Sequence, residues 1–174
     1  MELSSLLTHH ARFRPHATAV VFGTKRLDYR EFNARVNRLA HVLGGLGVQK
    51  AERVATLLPN TLELLECYWA CAKTGAVAVP LSPLLTGIGL ASLVKDSGAV
   101  CLVTQRSLLP VVAAVLTDLP ALAPARILLI DGGEAPWGDY PALTAAAAES
   151  EPPEANIGAD DLFNICLLYT SRCV

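Results

Sequence analysis

Residues 27–83 read LDYREFNARVNRLAHVLGGLGVQKAERVATLLPNTLELLECYWACAKTGAVAVPLSP. Asp28 stands where a helix N-cap is wanted and Glu31 follows three positions later, the spacing of a capping box. Tyr29, Phe32, Val36, Leu39, Leu43 and Leu46 then recur at intervals of three and four, with Arg30, Arg35, Arg38 and His41 on the opposite face. That pattern predicts an amphipathic helix packed on a core, ended by Gly44-Gly45-Leu46-Gly47. A coiled coil would share the spacing, but the repeat lasts under three heptads. Residues 54–58 are continuously apolar, as expected of a strand covered on both faces in a parallel sheet.

Pro59-Asn60 stops that strand, and Asn60 with Glu63 is expected to cap the next helix. On it Glu63, Glu66, Ala70 and Lys73 form one narrow polar stripe, leaving Leu62, Leu64, Leu65, Tyr68, Trp69 and Cys71 on a wide apolar surface. Gly75 supplies a left-handed cap, with Lys73 near the negative end of the helix dipole. Residues 76–79 read as a strand ended by Pro80 and Pro83.

Outward from this stretch the alternation continues. Residues 19–22 predict a strand closed by a Gly23-Thr24-Lys25 turn. Downstream come a helix at 90–96, a strand at 100–103, a helix at 108–119 and a strand at 126–130. After Asp131, Gly-Gly and Pro lead to an alanine helix at 145–148 and then to a linker or surface loop, Glu149-Ser150-Glu151-Pro152-Pro153-Glu154. Residues 160–165 return to strand chemistry. Strands alternating with helices imply right-handed crossovers, so the fold class is α/β, a largely parallel doubly wound sheet with flanking helices.

Composition narrows the function. The chain has 174 residues, 52% hydrophobic and 17% charged, with a formal net charge of −2. It is globular, and nucleic acid is not an expected partner. Residues 12–53 hold nine Lys/Arg against three acids, while residues 127–171 hold eight acids and no Lys or Arg. Solvated surface is the simplest reading; mutual attraction and long-range attraction of anionic ligands are the others. The first fifteen residues lack the uninterrupted apolar run of a signal peptide, and residues 62–72 are too short to span a bilayer. A cytoplasmic location and no membrane span are expected. The odd cysteine count, five, argues against a disulfide framework. Cys67 and Cys71 share a helix face, but no third ligand completes a metal site, so they read as buried thiols.

The ordered run resembles the start of the adenylate-forming (AMP-binding) acyl-CoA synthetase superfamily. The resemblance is carried by Tyr29 with Glu31, by Leu58-Pro59-Asn60, and by Lys73-Thr74-Gly75-Ala76 with Pro80, and it extends from about residue 6 to residue 165. Ala51-Glu52 replaces the usual glycine-aspartate before Arg53-Val54, and Gly89 stands where a glutamate commonly opens a helix.

The resemblance implies an N-terminal fragment of an ATP-dependent carboxylic-acid-activating ligase, forming an acyl-adenylate and then a thioester. ATP, Mg and coenzyme A are implied as cofactors of a full-length enzyme, and a carboxylic acid as its substrate. None is expected to bind this chain tightly. Residues 1–165 would be the incomplete synthetase domain and residues 166–174 a divergent tail, as foreign or truncated sequence would be. In that tail only Tyr169, Thr170 and Ser171 match the family's Ser/Thr/Gly-rich phosphate loop, which makes Thr170 and Ser171 the sole candidate phosphate contacts. No residue is expected to be catalytic and none to bind metal, so the chain is expected to be inactive alone.

Two other readings stay open. One is a non-catalytic α/β interaction module that self-associates through exposed apolar surface. The other is a small nucleotide-binding domain using Gly87 and Gly89, where Gly-x-Gly precedes a helix but neither the third glycine nor the later acid is present.

Overall fold

The computed structural model describes residues 3–166. It opens with helix α1 (Leu3–Phe13) and an antiparallel hairpin, β1 (Thr18–Phe22) and β2 (Lys25–Asp28), set apart from the main sheet. The expected turn at 23–25 is shorter, and Lys25 already pairs with Phe22. Helix α2 (Tyr29–Gly45) begins as read: Asp28 Oδ1 accepts from the Glu31 N–H at 2.8 Å, and Glu31 Oε2 accepts from the Asp28 N–H at 2.9 Å.

The main sheet is parallel throughout, in the order β4-β3-β5-β6-β7. Its strands are β3 (Arg53–Leu57), β4 (Val77–Leu81), β5 (Ala99–Thr104), β6 (Ile127–Leu129) and β7 (Gly138–Asp139). Side chains alternate across it as a two-residue period requires. Val54, Ala78, Cys101 and Leu128 face one core, which α1, α2, α3 (Leu62–Thr74) and Tyr140 cover. Ala55, Val79, Leu102 and Ile127 face the other, under α4 (Gly87–Ser97) and α5 (Leu109–Ala113). The doubly wound α/β fold is therefore present.

Several elements differ from expectation. The N-cap of α3 is Thr61, whose hydroxyl accepts from the Leu64 N–H at 3.2 Å; Asn60 lies one residue too early. The helix expected at 108–119 is broken into α5 and flanking 3-10 turns, with Pro110 in the first turn of α5. The alanine helix starts earlier, as α6 (Tyr140–Ala146), capped by Asp139. The strand expected at 160–165 is a single parallel bridge, Asn164 beside Ala78.

Pro80 does not end β4; it lies inside the strand, opposite Thr56. The neighbouring bonds explain why it is tolerated. The Val77 N–H points inward to Glu52 O, whereas the Ala78 N–H points outward to Phe163 O. By that alternation the N–H that proline lacks would face the outer edge, where no β3 bond is lost. Gly75 closes α3 at φ +70°, and a Cβ there would stand 3.0 Å from Lys50 Cγ.

The caps give a direct test. Asp28→Ala removes one half of the capping box and should cost about 1 kcal/mol. The check is a urea midpoint that falls with an unchanged slope.

Candidate functional site

Thr170 and Ser171 lie outside the described residues. What the structure gives is the approach to them. Phe163 O accepts from the Ala78 N–H at 3.0 Å, and the Ile165 N–H donates to Ala78 O at 2.9 Å. The chain therefore runs parallel to β4 and reaches Ile165 heading toward the carboxyl ends of the strands, the side on which open α/β sheets bind ligands.

The chemistry-bearing side chains that the structure brings together sit on α3. Two members of its polar stripe point inward: Glu66 is 1% and Lys73 5% exposed, while Leu65, from the apolar surface, is exposed. Two buried polar clusters account for the inversion.

In the first, Glu66 Oε1 accepts from Arg35 Nε and Oε2 from the Tyr140 hydroxyl, each at 2.5 Å. Burial raises the Glu66 carboxyl, and the Arg35 charge and the Tyr140 hydrogen bond pull it back only in part. Burial is the largest single influence on Arg35 and lowers it, but the charge and hydrogen bond of Glu66, with Tyr140 and Glu63, together outweigh it and raise the guanidinium. Burial likewise pushes the Tyr140 hydroxyl well up, with Glu66 adding to it, so Tyr140 is a donor. Both carboxylate oxygens are paired and the side chain is 1% exposed, so Glu66 crosslinks α2, α3 and α6 out of reach of solvent.

The second cluster surrounds Lys73. Its ammonium donates to Asn37 Oδ1 at 2.7 Å, Asn33 Oδ1 at 2.8 Å, Thr8 Oγ1 at 3.1 Å and Glu151 Oε2 at 2.5 Å. Burial lowers the Lys73 ammonium, and Glu151 holds it up in part. Partial burial acts to raise Glu151, but hydrogen bonds from Asn33, Lys73 and Asn37 outweigh it and hold the carboxyl below its usual range. Further on, Lys50 pairs with Asp161 at 2.7 Å, and Arg38 pairs with Glu149. The basic and acidic halves of the chain thus attract one another at named pairs. The reading of both as solvated surface holds only in part, and of the two readings of 149–154, linker or surface loop, the structure gives a surface loop, tied down at Glu149 and Glu151.

The remaining candidates are structural. Burial raises the thiols of Cys67 and Cys71 and pushes Cys101 up to about 12, which keeps all three protonated. No group of three His, Cys, Asp or Glu that could hold a metal occurs among the described residues. Gly87 and Gly89 form the first turn of α4, and a Cβ at either would meet nothing closer than Leu85 at 3.9 Å. A groove of about 440 Å³, lined by Ser4, Gly75, Ala76, Asp161 and Phe163, opens at the amino end of β4. No helix among the described residues is long and apolar enough to cross a membrane.

Comparison with known proteins agrees with this architecture. A family described as AMP-binding enzyme matches residues 7–171. A feruloyl-CoA synthase of an Amycolatopsis species is 40% identical over 170 residues, 97% of this chain and 30% of the relative. The long-chain-fatty-acid–CoA ligase FadD13 of Mycobacterium tuberculosis is 33% identical over 146 residues, 84% of this chain and 27% of the relative. A solved Mycobacterium tuberculosis fatty acyl CoA synthetase superposes with a TM-score of 0.82 at 29% identity, over 95% of this chain and 32% of that one. The chain spans about 30% of the length of the curated relatives it matches.

Two outcomes follow from the clusters. Tyr140→Phe leaves a buried carboxylate oxygen unpaired and should cost about 1–3 kcal/mol by urea unfolding. Glu151 has a folded value below its unfolded one, so its contribution is present above the unfolded value and lost as pH falls through the folded one. Between about pH 5 and 3 the urea midpoint should fall, and fall less in Glu151→Gln.

Proposed function

Because the chain belongs to the AMP-binding enzyme family, we propose that it is the amino-terminal part of an ATP-dependent acid–thiol ligase. Such an enzyme would join a carboxylate to the α-phosphate of ATP with release of pyrophosphate, and then pass the acyl group to the thiol of coenzyme A with release of AMP. Residues 1–165 are its incomplete synthetase domain, and residues 166–174 are a tail that diverges from the phosphate loop. The observation that carries this reading is the ordered match over residues 7–171, on a parallel sheet whose edge receives residues 163–165. Thr170 and Ser171 are the proposed start of the phosphate loop.

The same reading makes the chain inactive by itself. Adenylation places negative charge on the transferring phosphate in the transition state, and catalysis needs donors and a cation fixed against that charge. Lys73 cannot be that cation, because its ammonium is buried and committed to four acceptors. Glu66 is unsuited to holding Mg, because it is buried and paired with Arg35 and Tyr140. ATP, Mg and coenzyme A therefore belong to the full-length enzyme, and the substrate is proposed only as a carboxylic acid. A cytoplasmic location goes with a reaction that draws on ATP and coenzyme A. Self-association through apolar surface, with Leu84 and Ile88 almost fully exposed, is the partner the reading allows for the chain alone.

ATP–pyrophosphate exchange tests the proposal. A longer chain continuing residues 1–165 through a complete glycine- and threonine-rich loop should exchange label when offered ferulate or a long-chain fatty acid. The 174-residue chain should show none with either. Exchange by the short chain would overturn the inactivity, and silence of the longer chain with a broad panel of carboxylic acids would overturn the ligase reading.

A further inference from the structure

The segment between α6 and the bridge at Ala78 has little regular structure, yet it is fastened at successive points. Asn37 Nδ2 donates to Glu149 O at 2.7 Å, His41 Nε2 lies 3.0 Å from Ser150 O, and Asn33 Nδ2 donates to Glu151 Oε1 at 2.7 Å. Lys50 Nζ then donates to Asn156 O at 2.7 Å and pairs with Asp161, which also accepts from the Gly158 N–H at 2.6 Å. The strap ends on the two bonds that Ala78 makes to Phe163 and Ile165.

Its first fastening is built around one charge. Asn33 and Asn37 each accept from Lys73 through Oδ1 and donate to the strap through Nδ2, using both ends of the amide. Thr8 accepts from Lys73 and donates to Glu151 in the same way. The Lys73 ammonium is thus coupled to the strap directly through Glu151 and indirectly through three relays.

We propose that Lys73 is a positioning residue: through Glu151 it ties down the strap 149–161, and the strap sets residues 163–165 against the outer edge of β4. Taken with the ligase reading on which its functional side rests, Lys73 then fixes where the phosphate loop begins without touching a phosphate.

Amide hydrogen exchange on the 174-residue chain tests this. Glu151→Ala should speed exchange of the Ala78 and Ile165 amides by about 10-fold or more, while Ala55 and Leu102 in the central strands keep their rates. Unchanged rates at Ala78 and Ile165, or a common rise at all four, would overturn the proposal, since a general loss of stability moves all four together. Should Glu151→Ala not fold, Lys50→Ala removes the second fastening and is read on the same amides with the same expectation. In the longer chain that carries the loop, Glu151→Ala should raise the KM for ATP several-fold and leave the KM for the acid in place. An equal rise in both would remove the link to the phosphate loop. If the unsubstituted longer chain shows no exchange, the ligase reading falls while the amide result stands.

Discussion

A buried ammonium must be met by acceptors, and in this protein that requirement organises one whole side of the sheet. Lys73 is 5% exposed, and an uncompensated charge at that depth would be expelled or neutralised. Its acceptors come from α1, α2 and the strap, so these must converge on the last turn of α3. Gly75 follows two residues later in the left-handed conformation and turns the chain directly into β4. The polar pair adds little net stability against an apolar alternative. What it joins is geometry, since Lys73, both asparagines and Glu151 are satisfied together only where α1, α2, α3 and the strap meet.

The Glu66 cluster does the same about two turns earlier on the same face of α3. Arg35 reaches it from α2 and Tyr140 from α6, so the carboxylate sits at a three-way junction above the sheet. Both clusters consume their donors and acceptors internally. Glu66 and Lys73 are thereby held in structural pairs, while the carboxyl ends of the strands are the side on which open α/β sheets bind ligands.

The periodic and locally capped parts of the fold were legible in the sequence. The Asp28 capping box, the apolar face of α2, the strands β3 to β6 and the Gly75 cap follow from spacing within a few residues. The orientation of α3 was not legible, because projection on a wheel ranks positions by polarity and cannot show that Glu66 and Lys73 have partners 31 and 78 residues away. One local signal existed: Asn33 and Asn37, four apart inside an otherwise apolar face, are costly to bury alone. The short strands β2 and β7 escaped because four and two residues carry almost no periodicity. The segment 149–154 could be read as linker or surface loop but not as a fastened one, because its ties to Asn33, Asn37, Arg38, His41 and Lys73 are all long-range. The candidate phosphate contacts rested on a short resemblance at Thr170 and Ser171, beyond the described residues.

Pro80 has a consequence for solubility. An open parallel sheet presents its last strand as a template on which another chain can add, and β4 is such a strand. Its outward-facing bonding groups are few: those of Ala78 are already used by Phe163 and Ile165, and at Pro80 there is no N–H to offer. An incoming strand would have to displace the bridge and would still find the ladder interrupted after one residue. The edge therefore resists intermolecular β-addition even when the strap is loosened, and proline at this position acts as a guard against aggregation.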